Sequence, residues 1–357
     1  MGMEKSLGGA EFAPQTTYLN TASNGLIPAR AVAAMRTSVE DTAAGKAVDH
    51  FSAVEASRAT YARLAGVTAE RVAAGGSVAV YAGLIATSLP SGAEVLVAEG
   101  DFSSLVNPFA VRRDLTVRSA PLDDLAAAVR EETALVAVSA AQSANGRIAD
   151  IESVRAAARL HGARTLIDTS QAAGWLPVNA GDYDYTVSVG FKWLMCPRGV
   201  TFLTVPEDFG GLVPVFAGWV AGEKPWDSCY GPVEELARSA RRFDESPSLS
   251  SYAAAEHSLA LIEELGTDTI HAHDAALAER FRAGLAGLGQ EPVAAPGSPI
   301  VAVPGLGHAA AALSEAGVQV SARAGNLRAA FHLYNTAADV DRLLDVLSGS
   351  LAGTAAR

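Results

Sequence analysis

Apolar and polar positions along the chain change period several times, and the changes divide it. Between about residues 70 and 205 short β-type runs recur: "AEVLVAE" (93–99), "LTVRSAP" (115–121), "ALVAVSA" (134–140), "RTLID" (164–168), "YTVSV" (185–189) and "VTFLTV" (200–205). Several are apolar on both faces, the pattern of strands covered by helices on both sides. Helical periodicity separates some of them, in "PLDDLAAAVREET" and in "DIESVRAAARLHGA", where Asp150 suits the start and Gly162 the end. Strands alternating with helices predict an α/β fold with a mostly parallel sheet.

Two helical patterns precede this region, at roughly 28–45 and 52–66. An uncharged stretch from Val72 to Ala93 carries Gly75, Gly76, Ser77, Pro90 and Gly92, which suits a buried helix behind a glycine-rich turn better than a membrane span. After the strands comes "PVFAGWVAGEKPWDSCYGP" (214–232), a long irregular segment whose aromatics predict a functional loop. Helices at about 250–265 and 267–287 lead to "SPIVAVPG", "VQVSARAG", "RAAFHLYN" and a last helix from Ala338, the pattern of a small α+β domain. The expected division is a large domain over 1–262, including the amino-terminal segment, and a small one over 263–357.

With 357 residues, 49% hydrophobic and 18% charged, the chain can bury a large core. A net charge of −12 argues against nucleic-acid and anionic-membrane partners, which need basic patches. The start, "MGMEKSLGGAEFAP", has no apolar signal region, and its formal myristoylation match reads as a cloning scar. Cys196 and Cys229 form no disulfide framework or metal spacing and fit a reducing cytoplasm. His257, His271 and His273 read as surface or capping groups.

Two charged residues stand where strands run out. "RTLID" ends on Asp168, with Gln171 three residues on, and "YTVSVGFK" ends on Lys192. Ligands of open α/β sheets bind outside the carboxyl ends of the strands. A lysine amine there can form a Schiff base with an aldehyde. Pyridoxal phosphate is such an aldehyde, and its ring nitrogen needs a carboxylate partner, a role Asp168 could fill. Gln171 could bond the ring's phenolic oxygen. The phosphate needs backbone amides at a helix start, which the Gly75–Gly76–Ser77 turn supplies.

With those elements in that order, the chain resembles the class V aminotransferases, a fold-type-I pyridoxal-phosphate family that includes cysteine desulfurases, isopenicillin N epimerase-like proteins and kynureninase. The resemblance runs from "YLNTASNGLIP" (18–28) through "DTSQAAGWLPVNAGDYDYTVSVGFKWLMCPRGVTFLTV" to "RAAFHLYNTAADVDRLLDVL". It implies that Lys192 holds the cofactor and moves protons at the substrate α-carbon, that Asp168 pairs the ring nitrogen, and that Gln171 bonds the phenolate oxygen. Gly76, Ser77 and Val78 would bind phosphate, with Ser188 adjacent. Phe102 would stack on the ring and Ser143 lie near the phenolic oxygen. Arg328 would pair the substrate α-carboxylate, with Arg323 as rival. Asn20 to Asn24, Arg323 to Asn326 and the 214–232 loop would face the substrate side chain. Ser246 to Ser248 match the place where a neighbouring subunit touches the phosphate, so a homodimer is implied.

Departures from the family pattern narrow the chemistry. Desulfurases carry Ser-Gly-His before the lysine, whereas this chain has Val189, Gly190 and Phe191, and "RAGNLRAAF" lacks their nucleophilic cysteine. The expected activity is therefore transamination, β-elimination of the C–S lyase type, or epimerisation of an amino acid, and not persulfide-forming desulfurisation. The alternative is a catalytically silent homologue serving as a binding or scaffold subunit.

Overall fold

A computed structural model describes residues 5–355; the opening Met-Gly lies outside them. Twelve strands are present among the described residues: β1 (Thr17–Tyr18), β2 (Val72–Gly75), β3 (Glu94–Ala98), β4 (Thr116–Ala120), β5 (Thr133–Ser139), β6 (Arg164–Asp168), β7 (Tyr185–Val189), β8 (Thr201–Thr204), β9 (Ile300–Val303), β10 (Val318–Gln319), β11 (Ser321–Arg323) and β12 (Asn326–Ala330). The α-helices are α1 (Ala29–Ala43), α2 (Ser52–Leu64), α3 (Val78–Ser88), α4 (Ser103–Ala110), α5 (Ile151–His161), α6 (Leu249–Leu265), α7 (Thr267–Gly287), α8 (Ala309–Glu315) and α9 (Ala337–Ala355).

Seven strands form one sheet in the order β2-β8-β7-β6-β5-β3-β4. Pairs from β4 to β7 are parallel, and β8 runs antiparallel to both β7 and β2. The doubly apolar runs are explained by burial: β3, β7 and β8 are buried along their whole lengths. One apolar cluster covers one face with α3, α4 and Phe243, and others cover the opposite face with Tyr61, Phe202, Tyr252 and with α5. Helix α5 begins where expected, with Asp150 accepting from the Ser153 amide at 3.0 Å, and ends on Gly162 in the left-handed region at φ 72°.

The helix expected over "PLDDLAAAVREET" does not form. Only a 3₁₀ turn at Leu122–Asp124 and irregular turns follow β4. Leu125 and Val129 keep the buried spacing. However, Arg118 Nη2 takes the Ala128 carbonyl at 2.6 Å, which a further helical turn would need, and Arg130 folds back onto Glu94. These long-range bonds override the local periodicity.

A second sheet, β11-β12-β9, is antiparallel and packs on α7 and α9. The amino-terminal segment joins this end of the chain: β1 pairs with β10, and Asn20 bridges to Ala330. The segment therefore crosses from the second sheet to the carboxyl ends of the first. At its crossing point Gly25 donates to the Phe191 carbonyl at 2.9 Å, and a Cβ there would stand 2.0 Å from the Lys192 carbonyl oxygen. Only glycine permits that approach.

A buried ion pair fixes the strand that leads to the Gly75–Ser77 turn. Arg58 Nη2 donates to Asp244 at 2.6 Å, Arg58 Nη1 to the Val72 carbonyl at 2.5 Å, and Asp244 accepts from the Ala74 amide at 2.8 Å. Removing one partner of such a pair costs about 3–5 kcal/mol, because the other charge is left buried alone.

Candidate active site

The carboxyl ends of β6 and β7 open onto a cavity of about 380 Å³. It is lined by Ala22, Ser23 and Arg323 from the crossing segment and second sheet, by Ser77 and Val78 at the start of α3, and by Phe102 and Ser104 near α4. Ser143, Asp168, Ser170, Val189, Phe191, Lys192, Arg198 and Arg328 complete it. Roomier hollows lie between α1 and α6 and behind Leu176–Ala180, but Lys192 lines neither.

Lys192 and Asp168 are buried at 8% and 4% exposure, and no direct ion pair joins them among the described residues. Burial pushes the Lys192 amine down to about 8, opposed by Asp168, with Arg328 and Arg198 lowering it further. Burial pushes the Asp168 carboxyl up, against the pull of Lys192 and a 2.8 Å bond from the Ser170 amide. Two opposite charges thus face one cavity without meeting. Buried charges are costly unless paired. A group that bonds covalently to the lysine and donates a hydrogen bond to the carboxylate relieves both.

The remaining walls suit an anionic, planar group. Lys192 Nζ lies 5.2 Å from the Phe102 ring centroid and 5.9 Å from that of Phe191. The Arg198 guanidinium stacks on Phe191 at 4.1 Å. Behind the cavity, at the Gly75–Ser77 turn, the Gly76 amide is taken by the Glu245 carboxylate. Ser77 caps α3, its hydroxyl accepting from the Val80 amide at 3.4 Å.

Arg328, 1% exposed, is held by hydroxyls. Its Nε donates to Ser321 Oγ at 3.1 Å, Nη1 to the Ser143 carbonyl and to Ser143 Oγ, and Nη2 to Ser23 Oγ at 2.7 Å. Burial, with Arg323 adding to it, lowers its pKa to about 10. Behind it runs a chain of bonds. Gln171 Nε2 donates to Ser143 Oγ at 3.1 Å and to the Ala22 carbonyl at 2.8 Å, while Gln171 Oε1 accepts from Trp193 Nε1 at 2.8 Å. The Trp193 carbonyl accepts from His332 Nε2 at 2.9 Å, and His332 Nδ1 meets Asp274 at 2.9 Å.

The structure brings together Lys192, Asp168, Ser77, Val78, Phe102, Ser143, Arg323 and Arg328. Five expected positions lie elsewhere. Gln171 does not line the cavity, because both amide hydrogens and its carbonyl are spent on Ala22, Ser143 and Trp193. Ser188 is fully buried on the opposite face of β7, beside Tyr61. Gly76 sits behind the cavity against Glu245. Asn20 does not line the cavity: its backbone bridges to Ala330 and its side-chain Oδ1 is buried without a hydrogen-bond partner, while Ser246 is exposed away from the cavity. Nor does the 214–232 loop line the cavity: Trp219 and Trp226 stack at 5.0 Å and pack against His50 and Phe51. His273, expected as a surface or capping group, is buried with Nε2 against the Asn335 carbonyl at 3.0 Å. Ala22 and Ser23 line the cavity from the Asn20–Asn24 stretch expected to face the substrate, whereas Ser104, Ser170 and Arg198 are not marked by the sequence reading. Ser170 and Arg198 carried a signal, standing two residues after Asp168 and six after Lys192.

Similarity to known proteins extends over most of the chain. The family model described as aminotransferase class-V matches residues 17–343. An isopenicillin N epimerase of Amycolatopsis lactamdurans is 28% identical over 324 residues, covering 79% of this chain and 81% of the epimerase. A kynureninase of Deinococcus radiodurans is 27% identical, covering 62% of this chain and 57% of the kynureninase. Among solved structures, a cystine C–S lyase in complex with its reaction product cysteine persulfide superposes with a TM-score of 0.83 at 22% identity, covering 94% of this chain and 97% of the lyase.

Proposed function

The chain belongs to the class V aminotransferase family of pyridoxal-phosphate-dependent enzymes, and on that footing we propose that it breaks a bond at the α-carbon of an amino acid in the Lys192–Asp168 cavity, by transamination or by β-elimination of the C–S lyase type. The observation that carries this reading is the pair of buried, unjoined opposite charges at the ends of β6 and β7.

Pyridoxal phosphate supplies an aldehyde for amines and a ring that accepts electrons from the α-carbon. The protein's own groups do the rest. Lys192 would hold the cofactor and carry the proton at the substrate α-carbon. Asp168, whose carboxylate accepts from the Ser170 amide at 2.8 Å, would keep the ring nitrogen protonated. Phe102, Ser77, Val78 and Ser143 line the same cavity and would hold the ring, the phosphate and the phenolic oxygen. Arg328 orients the substrate through its α-carboxylate, exchanging the Ser23 and Ser143 hydroxyls for the incoming oxygens.

Cysteine placement favours chemistry other than persulfide transfer. Cys196 is buried, with its thiol pushed up by that burial, and Cys229 lies in the 214–232 segment away from the cavity. We assign cofactor binding to a large domain over 1–262, including the amino-terminal segment, with 263–357 as a small carboxyl-terminal domain. A homodimer is proposed, with Ser246 serving the neighbouring subunit's phosphate. Its support is the exposed apolar surface of Val213, Val215, Phe216, Trp226 and Tyr230. No helix among the described residues is long and apolar enough to cross a membrane, and a cytoplasmic site of action remains part of the proposal.

The deciding experiment offers the loaded protein a panel of amino acids while keto acids, pyruvate, ammonia and sulfide are assayed. A keto acid formed only with an amino-group acceptor marks transamination; pyruvate released together with ammonia, and with sulfide when cysteine is the substrate, marks elimination. A loaded protein giving neither product nor spectral change with any amino acid is the silent homologue.

Two further outcomes follow from the cavity's electrostatics. Because Lys192 loses its proton near pH 8 rather than near 10.5, its nucleophilic form accumulates as pH rises and is nearly complete above about 9. Uptake of pyridoxal phosphate by the stripped protein should accelerate from pH 6.5 to 8.5 and then level; a rate still climbing through pH 10 contradicts the lowered lysine. Arg328→Lys should leave the resting absorbance unchanged and lower kcat/KM by about ten- to a hundredfold, since a charge-assisted bond is worth about 1.5–3 kcal/mol and an ammonium lacks the second parallel donor. Discrimination between an amino acid and its decarboxylated amine should fall with it. Undiminished discrimination would move the α-carboxylate to Arg323.

A further inference from the structure

Two guanidiniums, Arg323 and Arg328, stand side by side on one wall of the cavity, where a monocarboxylic substrate needs only one. Their Nη2 atoms share one acceptor, Ser23 Oγ, at 3.2 and 2.7 Å. Neither enters an ion pair with an Asp or Glu side chain among the described residues. Adjacent like charges without a counter-ion mark a place for anions.

The two guanidiniums are not equivalent. Arg328 is buried in the wall and fixed by Ser321, Ser143 and Ser23. Arg323 is exposed at the mouth, where its other bond runs only to the neighbouring Ala322 carbonyl at 2.8 Å. It stands at the tip of the β11–β12 hairpin, in register with Asn326, across a two-residue turn of Ala324 at φ 48° and Gly325 at φ 78°. An alanine in the left-handed region is disfavoured. Strain of this kind gathers at functional sites, and here it bends the chain so that Arg323 and Arg328 flank Ser23.

We infer that the substrate carries a second acidic group, which Arg323 holds at the cavity mouth while Arg328 holds the α-carboxylate. This rests on the reading of the cavity as an amino-acid site. A side-chain carboxylate or sulfinate meets the chemistry; an apolar or cationic side chain leaves Arg323 without its anion and, if cationic, repels it.

Non-reacting acids test the inference by calorimetry on the pyridoxal-phosphate-loaded protein at low ionic strength. Succinate is compared with butyrate, and glutarate with valerate, so that each pair differs in one carboxylate at constant chain length. The wild type should bind at least one diacid about fivefold or more tightly than its monoacid, the scale of an exposed ion pair with good geometry. Arg323→Met should erase that preference and leave monoacid affinity within about twofold, while Arg323→Lys should retain part of it. A wild-type preference below fivefold for both pairs overturns the inference. So does a preference that survives Arg323→Met, or a loss that falls equally on mono- and diacids. Loading is scored first by visible absorbance: protein that takes up no cofactor overturns the amino-acid reading and this inference together, whereas loaded protein without diacid preference overturns the inference alone.

Discussion

Replacing Lys192 by alanine will remove covalent attachment of pyridoxal phosphate and lower turnover by at least about a thousandfold, the combined loss of nucleophile and proton carrier. No substitute amine lines the cavity: its other cations are Arg198, Arg323 and Arg328, which stay protonated. Noncovalent cofactor should persist weakly through the α3 turn, so the variant will bleach on gel filtration while the wild type stays coloured. The fold should hold. Lys192 makes no side-chain hydrogen bond among those described, and the desolvation lost with its charge offsets the support it gives the Asp168 carboxylate. The diagnostic result is the combination of an unchanged melting temperature with loss of colour.

The second large effect is expected at Asp168. Asp168→Ala should keep the covalent attachment to Lys192 and depress α-proton removal by about a hundredfold or more, because a ring without its nitrogen proton accepts electrons poorly. Asp168→Asn should be nearly as damaging. An amide is isosteric and hydrogen-bonds the nitrogen, but it lacks the charge that keeps the proton there. Exchange of the substrate α-hydrogen with deuterated solvent isolates this step. Exchange at the wild-type rate in Asp168→Asn would remove Asp168 from the role.

The pH behaviour of these two residues also has opposite signs. Burial lowers Lys192 and raises Asp168, so each is driven toward its neutral form. Burying a lysine neutral favours folding more as pH rises, and burying a carboxyl raised above its unfolded value favours folding more as pH falls. In the protein without cofactor the cavity therefore destabilises the fold least when one of the two is neutral.

Much of this was legible in the chain because strand ends are legible. The runs "RTLID" and "YTVSV" appear as β6 and β7 at the expected bounds, and they carry Asp168 and Lys192 to the carboxyl ends of neighbouring strands. What the sequence hid was which way a side chain turns. Ser188 was placed beside the phosphate by adjacency, yet strict alternation along β7 sends it to the face opposite Val189, which lines the cavity. Gln171 has suitable spacing from Asp168, but Trp193 and Ala22, distant in sequence, consume its amide. The 214–232 segment looked functional from its aromatics. Those rings instead pack on His50 and Phe51, a contact no local pattern announces. Conversely, Ser23 emerges as the shared acceptor of two arginines some 300 residues later in the chain, a convergence only the crossing of the amino-terminal segment creates.

The central claim is that Lys192 holds pyridoxal phosphate, and one measurement addresses it directly. Purified protein loaded with pyridoxal phosphate is reduced with borohydride, digested, and mapped by mass spectrometry. The account predicts loss of visible absorbance on reduction and a single reduced phosphopyridoxyl adduct on the peptide containing "GFKWLMCPR", at Lys192. An adduct on Lys5, Lys46 or Lys224, or protein that remains unmodified while its cofactor dialyses away, would contradict it.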